Sequence, residues 1–444
     1  MTAASDEGLF SEDLQEDIRS RFLYVESDPF SGERIWLESA SGSLRLKSMV
    51  AVLAEQTALA DQLGRANPGS KHAGDVVARG IEDVRLFLGA ESGVIMPAMS
   101  STHAMFRAVH AIMASAAGTN VVTTDLEHPS VYDSTRQFAK TYGKEWRVAH
   151  MDPQRGSVSP DAILEKVDKD TCMIGMIHGS NITGAVLDVK TVAEETRKIS
   201  PDVCVVIDGV QYAPHAPVDV ESLGADAYIF GPYKAFCVKG IGFAYLSDRV
   251  APLGHWALRG KAETDWMLGS PEDPTYAAWS AVVEYLCWLG GHFTESTDRR
   301  TRIVKGLDAS ENHLRALLRR AVHGTGKTKG LMHLGHVTRH GMTDDLSDRL
   351  CLVLFSLAGM DSFQAVELYN RARVRMHNRT RDAYSMHALD ALGVSEGVRL
   401  SACHYNTPRE IDRFLEVTAE LGKLSAKEIA AIPGRPHTAG HGEG

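Results

Sequence analysis

The chain has 444 residues and a mass of 48.4 kDa. With 44% hydrophobic and 23% charged residues it has the composition of a folded globular protein large enough for two lobes, which excludes disorder over most of its length. Its 47 basic and 57 acidic residues leave a formal charge of −10, which argues against nucleic acid or an anionic membrane as the main partner.

The N-terminal arm, residues 1–35, begins with a polar, acidic stretch of about 20 residues. It shows neither the basic nor the apolar segment of a secretory signal, and no apolar run in the chain reaches the about 18 residues of a membrane span. A cytoplasmic protein without a membrane partner is expected. Residues 36–300 alternate short apolar, β-branched runs with amphipathic stretches. The runs at 120–124, 171–177, 203–208, 227–230 and 242–246 predict strands, and 131–144 and 189–199 predict helices. This alternation predicts an α/β fold whose large domain is a doubly wound, mostly parallel sheet, with ligands at the carboxyl ends of the strands. After residue 300 the pattern changes to a long helix at 301–322, a strand at 350–357, a basic loop, a strand at 398–402 and a helix at 408–421. That reads as a smaller α+β C-terminal domain over 301–428. The stretch 429–444 is rich in Gly, Pro and His towards its end and is expected to be a flexible tail.

The six cysteines, Cys172, Cys204, Cys237, Cys287, Cys351 and Cys403, form no C-x-x-C pair. Reduced thiols follow, with no disulfide scaffold and no metal site of the usual spacing.

The densest chemistry lies around two of the predicted strand ends. Asp208 closes one strand, and Lys234 follows the next strand 26 residues later. This arrangement suits pyridoxal phosphate. A buried lysine loses its proton readily and can hold the aldehyde as a Schiff base. An aspartate facing the pyridine nitrogen keeps that nitrogen protonated and makes the ring an electron sink. On spacing alone, the same two residues also suit a helix cap and a surface lysine.

The run Asp208-Gly209-Val210-Gln211, with Pro217-Val218-Asp219-Val220, Tyr233-Lys234 and Gly240-Ile241-Gly242, resembles the class V aminotransferase family of fold-type I pyridoxal phosphate enzymes. That family includes cysteine desulfurases, selenocysteine lyases, isopenicillin N epimerase and kynureninase relatives. The resemblance spans about residues 35–420. It implies that Lys234 is the Schiff-base lysine, that Asp208 pairs with the pyridinium and that Gln211 bonds the phenolic oxygen. In Leu126-Glu127-His128-Pro129, His128 matches the histidine that stacks on the ring and relays protons. Asn181, in a Ser-Asn-x-x-Gly turn, matches a residue that approaches the cofactor oxygen and the substrate. Ser100, Ser101 and Thr102 stand where relatives carry a phosphate-binding Gly-Thr-Thr turn, directly before a predicted helix. Tyr233 replaces a frequent histidine and is a further phosphate donor, whereas Gly231 replaces a frequent serine. Ser270, in Leu268-Gly269-Ser270-Pro271, matches a residue that reaches the phosphate of the neighbouring subunit, which implies a homodimer with shared active sites. Arg399, in the intact pattern R-x-S-x-x-x-Y-N-T, matches the clamp for the α-carboxylate of an amino-acid substrate.

Desulfurases carry a catalytic cysteine on a loop of the small domain. The corresponding loop here, 371–381, has none, and Thr380 falls near that position. A hydroxyl cannot accept a persulfide, so a persulfide-forming desulfurase is not expected. The loop instead holds Arg371, Arg373, Arg375, Arg379 and Arg381. These read either as a solvated basic loop or as one or two contacts to an anionic group at the far end of the substrate. The expected function is an enzyme acting on an L-amino acid through an external aldimine and a carbanion, with a lyase cleaving Cβ–X or Cα–C preferred. A class V aminotransferase or epimerase, a decarboxylative aldolase making an unusual amino acid, and a non-catalytic pyridoxal phosphate-binding protein are the alternatives. A dinucleotide enzyme is disfavoured, because Gly240-Ile241-Gly242 lacks the third glycine of the fingerprint.

Overall fold

A computed structural model describes residues 7–434. Its larger sheet has seven strands: β1 (Val94–Ala98), β2 (Asn120–Thr124), β3 (Glu145–Ala149), β4 (Thr171–Ile177), β5 (Cys204–Asp208), β6 (Ala227–Phe230) and β7 (Gly242–Leu246), in the spatial order β1-β7-β6-β5-β4-β2-β3. Strands β2 to β6 run parallel, and β7 is antiparallel to both of its neighbours. The helices around it are α1 (Glu12–Ser20), α2 (Pro68–Leu88), α3 (Ser101–Ser115), α4 (Pro129–Thr141), α5 (Val189–Ile199) and α6 (Asp273–Gly290).

Alternate residues of the central strands feed two separate cores. Val205, Ile207, Tyr228, Phe230, Phe243 and Tyr245 pack with Phe87 of α2 and Trp279 of α6. Cys204, Val206, Ala227, Ile229, Ala244 and Leu246 pack with Met105 and Ile112 of α3. Cover on both faces is why these strands read as continuous apolar runs in the sequence rather than as alternating ones.

A second sheet, entirely antiparallel, has the order β8-β9-β11-β10, with β8 (Val337–His340), β9 (Leu352–Leu357), β10 (His377–Thr380) and β11 (Glu396–Ser401). It has its own core, in which Val353, Phe355 and Leu400 meet Leu317 of α7 (Arg299–His323) and Phe414 of α8 (Pro408–Leu421). The two sheets give the mostly parallel α/β plus smaller α+β arrangement that the sequence predicts.

The structure departs from the sequence reading in detail. Strands β1 and β3, at the two edges of the large sheet, and helices α2 and α6 are absent from it. The acidic stretch read as an arm forms α1, whose residue Ile18 is fully buried. In the same segment, the Gln15 amide donates to the His404 carbonyl at 3.1 Å and Arg19 donates to the Tyr405 carbonyl at 2.8 Å. Residues 426–430, which straddle the expected boundary between the C-terminal domain and the tail, form a short helix. Residues 435–444 of that tail and 1–6 of the arm lie outside the described residues. Among the described residues no helix is long and apolar enough to cross a membrane.

Candidate active site

Five segments that leave the carboxyl edge of the large sheet meet around one cavity of about 300 Å³. Asp208 is the last residue of β5. Lys234 ends a single 3-10 turn, Pro232–Lys234, that follows β6. His128 caps the N-terminus of α4 after β2, and Asn181 lies in the turn after β4. Ser100 caps α3 after β1. Ser100, Ser101, Thr102, His128, Asn181, Asp208, Gln211, Tyr233 and Lys234 all line the cavity. The structure therefore brings together nine of the residues singled out from the sequence.

The Lys234 ammonium donates to Gln211 Oε1 at 2.9 Å. Burial, then the charge of Arg399, brings its pKa down to about 7, while Asp208 pulls the other way. Asp208 is 2% exposed. Its carboxylate accepts from the Val210 N–H at 3.0 Å and from the Ser130 hydroxyl at 3.1 Å. Burial nevertheless raises its pKa, and the Lys234 charge opposes that. A carboxylate held this way needs a cationic partner, which a protonated ring nitrogen provides.

His128 Nδ1 accepts from the Ser130 N–H at 3.1 Å, so a proton on the neutral ring belongs on Nε2. Burial, then the Lys234 charge, lowers its pKa to about 3, which keeps the ring neutral over the physiological range. The Ser130 hydroxyl lies 2.8 Å from His128 Nδ1 and bonds Asp208, so one serine links the two. The sequence reading missed Ser130. Its signal was available in the His-Pro-Ser start of a helix, where a small polar residue follows the cap.

The cradle at the start of α3 is built on a close approach. A Cβ on Gly242, the first residue of β7, would lie 2.3 Å from the Ser100 carbonyl carbon and the Ser101 nitrogen. Only a glycine lets the strand and the helix start meet. The first N–H groups of a helix have no partner within it and suit an anion. At Gly231 a Cβ would lie 3.0 Å from the Tyr233 ring and 3.1 Å from the Ser101 hydroxyl, so Tyr233 occupies the room a serine would need. Lys239, also missed from the sequence, adds a cation to the wall.

Asn181 Oδ1 is buried and has no hydrogen-bond partner among the described residues. An unpaired acceptor, a buried amine beside a buried carboxylate, a neutral flat imidazole and an anion cradle fit pyridoxal phosphate.

Arg399 is 1% exposed and stands just behind the wall. It donates to the Asn181 carbonyl at 2.7 Å and to the Ser41 hydroxyl at 2.7 Å, and Ser41 lines the cavity. Ser270 is exposed and does not line the cavity of its own chain. In the 371–381 segment Arg371 pairs with Glu367, Arg373 with Glu33, Arg375 with Glu38 and Arg381 with Asp390. Arg379 alone of the five is buried, at 6% exposure. All six cysteines are buried and none lines the cavity. Burial pushes the Cys403 thiol up to about 12. Thr380 lies in β10 opposite Glu396.

Residues 35–270 match the family model described as aminotransferase class-V. The chain is 24% identical over 419 residues to an aminotransferase-like protein of Gibberella zeae, covering 90% of this chain and 96% of the other. It is 26% identical over 324 residues to a cysteine desulfurase of Haloferax volcanii, covering 70% and 69%. Among solved structures it is similar to an apo cysteine desulfurase from Thermococcus onnurineus, with a TM-score of 0.77 at 21% identity, covering 92% of this chain and 98% of that one. The cysteine desulfurase CsdA of Escherichia coli gives a TM-score of 0.73 at 19% identity, covering 93% and 99%. These structural likenesses show a fold-type I architecture.

Proposed function

Because the chain belongs to the class-V aminotransferase family, we propose that it is a pyridoxal phosphate enzyme acting on an L-amino acid, and that it works as a lyase without forming a persulfide. The observation that carries this reading is the cavity wall: a buried amine and a buried carboxylate are in place, and no thiol reaches them. When bound, pyridoxal phosphate supplies an electron-withdrawing ring that lets a bond at the substrate α-carbon break.

Each residue has a task that follows from its surroundings. Lys234 is available as a free amine near neutral pH, so it can hold the aldehyde and afterwards move a proton at the substrate α-carbon. Asp208, fixed by Val210 and Ser130, would hold the ring nitrogen. Gln211 and Asn181 would hold the phenolic oxygen. His128 would cover the ring and, being neutral, can take or give a proton at Nε2. Ser100, Ser101 and Tyr233 would hold the phosphate, joined by Ser270 of a second copy in a homodimer. Arg399 receives the substrate carboxylate in place of its bonds to Asn181 and Ser41. The buried, unpaired thiols accord with a reducing cytoplasm.

The test uses the purified protein with added pyridoxal phosphate. A visible absorption band that Lys234→Ala abolishes, and a borohydride-fixed adduct on the Lys234 peptide, are expected. Product analysis then separates the reactions. Ammonia with a keto acid means β-elimination, pyridoxamine phosphate with a keto acid means transamination, and carbon dioxide means decarboxylative carbon–carbon chemistry. Alanine and sulfide from L-cysteine, blocked by a thiol-alkylating reagent, would overturn the assignment.

A further inference from the structure

Two of the buried cations beside the cavity share one face of the small sheet. In the β10–β11 ladder His377 lies opposite Arg399, and Arg379 lies opposite Gly397. Residues directly opposite, and residues two apart along a strand, point to the same side. Arg379 and Arg399 are therefore diagonal neighbours, with side chains starting about 7–8 Å apart. Both stand behind the cavity wall. Arg399 bonds Asn181 and Ser41 of that wall, and Arg379 bonds Ser385, the residue after Tyr384 of the same wall.

Their charges are poorly balanced. Among the described residues Arg399 has no carboxylate at ion-pair distance. Arg379 is 4.0 Å from Asp382, which is 46% exposed. Glu38, the acid on this side, is already bonded to Arg375 at 2.9 Å and lies 3.4 Å from His377. Arg379 bonds neutral groups, the His377 ring at 3.3 Å and the Ser385 hydroxyl, and the Nε atoms of both arginines are buried without partners. Two adjacent guanidinium groups, buried and short of anions, are costly unless anions arrive. One carboxylate satisfies one of them, and an amino acid with an acidic side chain satisfies both.

Resting on the assignment above, we propose that Arg379 is a specificity residue that binds an anionic group on the substrate side chain. The substrate class is then an L-amino acid bearing a second small oxyanion, a carboxylate or a sulfinate, beyond its α-carboxylate. Arg399 takes the α-carboxylate and Arg379 takes the distal group, each through the paired N–H donors of a guanidinium.

The test titrates the holoenzyme with succinate and with propionate, which match acidic and apolar substrates without the amine, and reads binding by calorimetry. Succinate should bind more tightly by on the order of tenfold or more. Arg379→Gln should bring succinate down to the level of propionate while leaving propionate unmoved. Equal affinities in the unmodified protein would overturn the proposal, and so would a succinate preference that survives Arg379→Gln. The comparison in the unmodified protein does not depend on whether the variant folds. In parallel, L-aspartate, 3-sulfino-L-alanine and L-alanine are added and the visible spectrum is followed. Half-saturation at lower concentration for either acid than for L-alanine supports the proposal, and the order of the two acids tells carboxylate from sulfinate. Equal responses to all three would defeat it while leaving the cofactor assignment standing. A colourless protein that still prefers succinate would do the reverse.

Discussion

Lys234 allows a quantitative check of the whole site. Its ordinary value of 10.5 falls to about 7 in the folded protein, which disfavours the ammonium by about 5 kcal/mol. At pH 7 about half of the molecules then carry a free amine, where an ordinary lysine would give about one in 3,000. The capture of pyridoxal phosphate by the cofactor-free protein should therefore speed up about tenfold per pH unit below about pH 7 and level off above it. Stopped-flow absorbance from about pH 6 to about pH 9 reads this directly. Pyridoxal, which has no phosphate to titrate, should show the same midpoint. Arg399 is the second cause of the depression, after burial. Arg399→Gln should thus move the midpoint upward, towards that of an ordinary lysine. A midpoint near 10 in the unmodified protein, or a downward move in Arg399→Gln, would refute the argument that burial and a neighbouring cation set the reactivity.

Three further outcomes follow from the same structure. The unfolded chain keeps the Lys234 proton up to 10.5 and the folded chain releases it near 7, so stability should rise with pH between those values, by roughly 2 kcal/mol from about pH 7 to about pH 9. Denaturant titrations of the cofactor-free protein should show that slope, and Lys234→Met should flatten it. Gly242→Ala would press a methyl group on the start of α3, so a stability loss of about 1–3 kcal/mol and weaker pyridoxal phosphate binding are expected. Unchanged melting and binding would show that the cradle does not depend on that approach. Finally, Lys234→Ala and Ser270→Ala subunits, mixed and re-annealed, should recover activity above either alone. No gain would mean that Ser270 does not serve the partner's site.

The parts of the fold that the sequence made legible are those where burial is symmetrical. Strands β2, β4, β6 and β7 and helix α5 start and stop where the apolar runs do. The edge strands were hidden for opposite reasons. Strand β1 contains Pro97, which a strand tolerates at an edge but which argues against a strand when read locally. Strand β3, Glu-Trp-Arg-Val-Ala, carries Glu145 and Arg147 because it lies at the edge, where of its five residues only Ala149 is buried. The direction of β7 was illegible, since antiparallel pairing depends on where the loop after Lys234 returns and leaves no mark on the strand itself. In the site, the motif residues that line the cavity were readable because they stand just after the ends of strands. Ser41 was not, because its role arises from a contact across the fold, and for Ser130 the sequence marks only the helix start and not the bond to Asp208. The arginine-rich segment shows the same limit: five like residues in sequence become four surface ion pairs and one buried cation only once the ladder partners are known.

The docking of the first helix constrains how anything gets in or out. Gln15 and Arg19 bond the carbonyls of His404 and Tyr405. The Tyr405 hydroxyl bonds Ser39 at 2.8 Å and the Leu44 N–H at 3.1 Å, and Asn406 donates to the Trp36 carbonyl at 3.0 Å. These stitches fasten the segment just beyond β11 to the chain that precedes the large sheet. At about 1 kcal/mol each, breaking them together would consume a large share of the about 5–15 kcal/mol that hold a typical domain folded. Tyr384 is 62% exposed, and its ring lies 6.1 Å from that of His128. Entry past one tethered side chain is far cheaper than prising the lobes apart. Traffic through such a door runs at the pace of loop motion, so turnover would be governed by bond breaking and not by a swinging frame.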